Sequence, residues 1–94
     1  MPFIRVLWKH KFPSEPVEIY SELDSQRWER RKVEVFANGA MVCADDKCRS
    51  GATRLAVEPL PSNDEISKDP QFDVMDITAA EFEQVWQRAH SERR

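Results

Sequence analysis

Asn38-Gly39 stands between two runs of β-type residues, 28–37 and 40–44. This dipeptide is the strongest short-range hairpin signal a sequence carries, because both residues accept the left-handed backbone of a type I′ turn. It commits the middle of the chain to an antiparallel pair. Upstream, Val17-Glu18-Ile19-Tyr20-Ser21-Glu22-Leu23 alternates apolar and polar residues, as a half-buried strand does. Ser25-Gln26-Arg27 reads as the turn that joins it to the central hairpin. Residues 3–8 form a dense β-type run stopped by Pro13 and Pro16, and residues 53–57 offer a weaker fifth strand.

Register follows from the apolar pattern. A two-residue turn at Asn38-Gly39 pairs Phe36 with Met41, Val35 with Val42 and Val33 with Ala44. For the earlier hairpin, a three-residue loop sets Val17 opposite Val35, Ile19 opposite Val33, Tyr20 opposite Lys32 and Glu22 opposite Arg30. An even loop puts Ile19 against Lys32 instead. A one-residue slip moves every side chain to the other face, so the odd loop is selected. One expected face is then Val17, Ile19, Leu23, Val33, Val35, Val42 and Ala44. The other is Tyr20, Glu22, Trp28, Arg30, Lys32, Glu34, Phe36 and Met41.

The end of the chain reads as a helix. Thr78-Ala79-Ala80-Glu81 has capping-box spacing, and Ile77 with Phe82 is placed for a hydrophobic staple. Phe82, Val85, Trp86 and Ala89 fall on one helical stripe. Arg88, His90, Arg93 and Arg94 lie where cations favour the negative end of the helix dipole. Ser62-Asn63-Asp64-Glu65 marks a second, short helical turn before Asp69-Pro70. The fold expected is α+β: one domain over residues 1–94, an antiparallel β-meander of four to five strands with a C-terminal α-helix packed on one face.

Composition narrows the function classes. The chain has 94 residues, 40% of them hydrophobic, with 14 Lys and Arg against 17 Asp and Glu. A net charge of −3 leaves no basic footprint for nucleic acid. Two glycines leave no room for a glycine-rich phosphate loop. No run of 18 apolar residues exists and residues 1–10 lack the form of a signal peptide, so no membrane is expected and a cytoplasmic location is the default.

The segment Val17–Asp24 with Arg31-Lys32-Val33-Glu34-Val35-Phe36 carries a resemblance. So do Pro59-Leu60-Pro61 with Glu65-Ile66, Glu81-Phe82-Glu83 with Trp86, and Trp8 with His10. Together they resemble a small bacterial family described only as a domain of unknown function, over nearly the whole chain. The resemblance implies a bacterial origin and a stand-alone domain. It brings no activity, cofactor or catalytic residue.

Chemistry-bearing residues are few. Cys43 and Cys48 are separated by four residues, and only His10 and His90, both distant, would complete a zinc site. A strand cysteine beside a loop cysteine is the plainer reading, although their pairing stays open; no metal and no cofactor is expected. His10, Tyr20, Glu22, Arg30 and Arg31 are the set from which an acid–base or ligand-binding site would be assembled. Against it, Glu22 opposite Arg30 is what a solvated sheet face looks like. No nucleophile elbow or paired-histidine motif occurs. Arg31 is expected to face the helix and to pair with Asp46 or Glu29, because a buried arginine needs a partner.

The outer sheet face carries the sharpest hint. Tyr20, Trp28, Phe36 and Met41, interleaved with Arg30 and Lys32, make an aromatic and basic patch of the kind enriched at interfaces. The function expected is therefore a non-enzymatic protein-interaction domain, an immunity- or antitoxin-like neutraliser or a homodimer, acting through that face. The acidic segment 64–76 suits a basic partner. The competing expectation is a small enzyme or ligand-binding domain built on the His10 set.

Overall fold

The structure, a computed structural model, describes residues 2–47 and 53–92. Five strands are formed: β1 (Phe3–Trp8), β2 (Glu18–Leu23), β3 (Glu29–Val35), β4 (Met41–Ala44) and β5 (Phe72–Ile77). Helix α1 (Asn63–Ser67) precedes β5, and α2 (Ala79–Glu92) follows it. All strand pairs are antiparallel, in the order β4-β3-β2-β1-β5. The chain is thus α+β, with the expected meander from β1 to β4 and the expected C-terminal helix.

The fifth strand is not the one the sequence suggested. Residues 53–57 form no strand; Val57 is 82% exposed. The backbone there is satisfied by side chains, the Ala56 amide donating to Glu29 Oε1 at 2.7 Å and the Arg54 carbonyl accepting from Lys32 Nζ at 2.8 Å. The real fifth strand, β5, adds to the far edge beside β1. Its Asp73 and Asp76 break up the apolar run, and its apolar residues divide between the two sides of the sheet, Phe72 and Val74 on one and Ile77 on the other.

Both hairpin turns have three-residue loops. The Asp24 amide donates to Trp28 O at 3.0 Å across 25–27, the expected three-residue loop, with Arg27 in the left-handed region at φ 67°. The central turn differs from the type I′ expectation. Phe36 N–H donates to Ala40 O at 2.9 Å and Gly39 N–H donates to Phe36 O at 2.9 Å, so the loop is 37–39. Only Gly39, at φ 88°, takes the left-handed conformation; Asn38 instead accepts the Ala40 amide on its side chain at 3.0 Å. A three-residue loop ending in a left-handed residue is the next favoured hairpin closure.

This turn pairs Val35 with Met41 and Val33 with Cys43, one residue off the expected register. A second shift comes from a β-bulge: Leu23 opposes Glu29 but Glu22 opposes Arg31, leaving Arg30 as the extra residue. The expected faces are therefore re-sorted. Val33 and Val35 share the α2 side with Tyr20, Met41 and Cys43. Ile19, Leu23, Val42 and Ala44 go to the opposite side with Lys32 and Glu34.

Each side has its own core. Under α2, Phe82, Trp86 and Ala89 bury against Val33, Met41 and Cys43, with Tyr20, Val85 and Ile77 packed around them. On the other side, Ile4, Val6 and Leu23 are buried, with Ile19, Leu60, Phe72 and Val74 against them. The capping box of α2 is formed: Thr78 Oγ1 accepts from the Glu81 amide at 3.0 Å, and Glu81 Oε1 accepts from the Thr78 amide at 2.9 Å. Ser62 caps α1 by accepting from the Glu65 amide at 3.2 Å. Arg93 and Arg94 lie outside the described residues.

Two outcomes follow. A Cβ at Gly39 would meet nothing within 4 Å, so Gly39→Ala exposes the backbone term alone; urea denaturation should show a loss of about 1 kcal/mol. The Thr78 amide, and then its hydroxyl, hold the Glu81 carboxyl below its ordinary value. Its contribution is therefore complete above the ordinary carboxylate range and disappears as pH falls through the lowered value. Thermal melts of Glu81→Gln should lose that part of the acid-side dependence.

Candidate functional site

The bulge at Arg30 sends two neighbouring charges to opposite sides of the sheet. Glu29 turns away from α2 and is buried, at 5% exposure. Its Oε2 accepts from Ser21 Oγ at 2.9 Å, and its Oε1 accepts the Ala56 amide and lies 3.2 Å from Lys32 Nζ. This network straps residues 53–56 across the sheet. Arg27 ties down the next part of the chain, donating to the carbonyls of Leu60 and Pro61 and to Asn63 Oδ1.

Arg31 turns toward α2, as expected, but its partners are neither Asp46 nor Glu29. The bulge brings Glu22 opposite it, and the guanidinium binds both Glu22 oxygens, at 2.7 and 3.2 Å. It also donates to Glu83 on α2 and lies over the rings of Phe82 and Trp86, 4.8 and 5.1 Å from their centroids. Hydrogen bonding to Glu22 holds this group even more firmly protonated than an ordinary arginine. Arg5 repeats the theme: it pairs with Glu18 and sits 5.7 Å from the Tyr20 ring centroid. Burial raises the Tyr20 phenol above its ordinary value.

The acid–base set is not assembled. His10 lies in the β1–β2 loop, at the end of β2 opposite to Glu22 and Arg31. Its Nδ1 accepts from the Phe12 amide at 2.9 Å, so Nε2 carries the proton and donates to Pro16 O at 2.7 Å. His10 thus shapes its own loop. Arg30 is exposed on the bulge.

The expected aromatic patch is not formed either, because the register shifts distribute its members. Tyr20 and Met41 pack under α2, where Met41 is 8% exposed. Trp28, exposed, sits at the turn end of β3, and only Lys32 and Phe36 remain together, on the side away from α2. Cys43 is buried and Cys48 lies outside the described residues. His90 stands against Trp86 at the exposed end of α2. Among the described residues no group of three or more His, Cys, Asp or Glu is placed to hold a metal ion, and no helix is long and apolar enough to cross a membrane.

What Lys32 and Phe36 line is a half-open cleft of about 380 Å³. Its floor is the strand face, with Glu34, Phe36 and Val42; its walls are Ser14, Glu15 and Pro16 on one side and the strapped Thr53 and Arg54 on the other. Thr53 is 5% exposed, and among the described residues its buried hydroxyl has no hydrogen-bond partner. A second cleft, of about 390 Å³ and more open, adjoins the first through Ser14 and Glu15 and is lined by Trp8 and Phe12. Phe12 is 63% exposed. Sequence reasoning missed Phe12, Glu15, Thr53 and Arg54. The exposed aromatic inside a proline-bounded loop is the signal that would have found Phe12; the Thr53–Arg54 wall depends on a contact from residue 29 to residue 56 that no local pattern reports.

The chain belongs to the family described as a domain of unknown function (DUF6881), whose family profile matches residues 2–91. No curated protein and no solved structure matches it.

Removal of the Glu29 carboxylate tests the strap. Glu29→Ala leaves the largely buried Lys32 ammonium unpaired and should cost about 3–5 kcal/mol in chemical denaturation, with Glu29→Gln losing less.

Proposed function

We propose that the chain is a protein-interaction domain, and that its docking surface is the pair of adjoining clefts rather than a flat aromatic sheet face. One observation carries this reading: Ser14 and Glu15 are shared by both clefts, so Trp8 and exposed Phe12 continue directly into the Phe36–Glu34–Arg54 cleft. Aromatic residues and arginine are types enriched at interface centres, and Trp8, Phe12, Phe36 and Arg54 line the two clefts. A neutraliser role toward a partner, in the cytoplasm of a bacterial cell, is the setting this reading adopts.

A small-ligand domain is the second reading. It is favoured by the Thr53 hydroxyl, which is buried beside the first cleft and has no hydrogen-bond partner among the described residues.

Phe12→Ser with Phe36→Ala separates them. Phe12 is largely exposed, so the double variant should keep the fold by circular dichroism. It should lose a partner protein captured by the wild type from native lysate, as read by mass spectrometry beside solution sizing. Undiminished capture would sink the cleft as the docking surface. Small-molecule binding without any protein capture would favour the second reading.

A further inference from the structure

We propose that the Phe36 cleft receives the guanidinium of an arginine side chain presented by the partner protein. This deepens the protein-interaction reading and rests on it.

The chain supplies two filled examples of the same chemistry. Arg31 is held by two carboxylates, Glu22 and Glu83, and lies over the Phe82 and Trp86 rings. Arg5 is held by Glu18 and lies over Tyr20. In each case a planar cation joins carboxylates to a ring face, combining charge-assisted hydrogen bonds with cation–π attraction.

The cleft presents the third such set without its cation. Glu34, near the end of β3, and Phe36, which continues its extended path with a backbone bond to Ala40, are two residues apart and line the same cleft, about 7 Å apart. Glu15 faces them from the loop wall. Among the described residues, neither carboxylate makes an ion pair or a side-chain hydrogen bond. Lys32 does not fill the role, because its ammonium is committed to Glu29 and to the Arg54 carbonyl, at 3.2 and 2.8 Å. With Lys32 offset by Glu29, the lining holds the carboxylates of Glu15 and Glu34 against the one cation of Arg54.

A second observation is independent of charge. Thr53 lines the cleft at 5% residual exposure, and among the described residues its buried hydroxyl has no hydrogen-bond partner. A guanidinium has five N–H donors and no acceptor, so it suits a site lined by two carboxylates and an aromatic ring, with an unsatisfied hydroxyl buried in its wall. Lysine matches less well: it is a strongly hydrated point charge without a planar fork. A protein-borne arginine is favoured over the free amino acid because the Trp8–Phe12 cleft adjoins the site and offers ground for the residues flanking it.

The experiment is a titration of the 15N-labelled full chain, followed by amide NMR. Its probes are Nα-acetyl-L-arginine amide, the neutral isostere Nα-acetyl-L-citrulline amide, and free L-arginine. The arginine amide should shift the amide signals of Glu34, Phe36 and Thr53 saturably, about tenfold more tightly than the citrulline amide. Glu34→Gln should weaken it about tenfold. Arg54→Ala, which removes the like charge from the rim, should strengthen it about threefold, which a purely structural cleft would not do.

Equal binding of the citrulline amide, shifts confined to other parts of the sheet, or an unchanged response in Glu34→Gln would overturn the proposal. Tighter binding of free L-arginine would overturn the assignment to a partner's side chain. The two readings fail separately. Partner capture that depends on Phe12 and Phe36 without any arginine response leaves the interaction domain standing and removes the guanidinium. An arginine response without any captured partner removes the interaction domain.

Discussion

The structure turns on a single extra residue. Glu29 and Arg31 are two apart and in a regular strand would share a face. Arg30, inserted as a bulge, puts them on opposite sides. Each charge then organises what covers its side. Arg31 reaches Glu83 and stacks on Phe82 and Trp86, tying α2 to the sheet. Glu29 gathers Ser21, Lys32 and the Ala56 amide, tying down a segment that has no ladder of its own. Without the bulge, one side would carry both charges and the other would lose the ion pair that helps to hold its cover.

The cleft is a by-product of that arrangement. Because residues 53–56 are held by side chains rather than by strand pairing, they lie over the sheet as a wall with space beside it. The β1–β2 loop forms the opposite wall, and His10 stiffens that loop from within by bonding to Phe12 and Pro16. Two rigid borders around an open strand face leave Glu34 and Phe36 accessible. Lys32, which lines the cleft, is already paired with Glu29, whereas among the described residues Glu15, Glu34 and Arg54 make no ion pair.

Local signals were legible wherever their cause was local. The capping box at Thr78 and Glu81, the cap at Ser62, the apolar stripe of α2 and the loop at 25–27 all depend on residues within a few positions of each other. The helix-facing direction of Arg31 was legible too, because β3 alternates regularly from Arg31 to Val35, past the bulge. The members of the binding surface were not. Asn38-Gly39 permits a type I′ turn and a three-residue loop alike, and the choice between them moves β4 by one residue. The bulge moves β2 by one residue against β3. Both shifts separate Tyr20 and Met41 from Phe36 and Lys32, and the expected aromatic face is not formed.

The sequence by itself determined the α+β class, the four-strand meander, both helix starts and membership of a family that covers nearly the whole chain. These rest on periodicity, capping and turn residues, which act over short stretches. Only the tertiary structure decided the cross-strand register, the place of β5 beside β1, and which charged groups are paired. Those depend on contacts between residues far apart in the chain, such as Glu29 with Ala56 and Arg31 with Glu83. The physical reason is the two-residue period of a strand: a shift of one position costs little in backbone hydrogen bonding, yet it reverses every side chain. Packing against α2 and the strapped segment, rather than any local preference, selects which reversal the protein keeps.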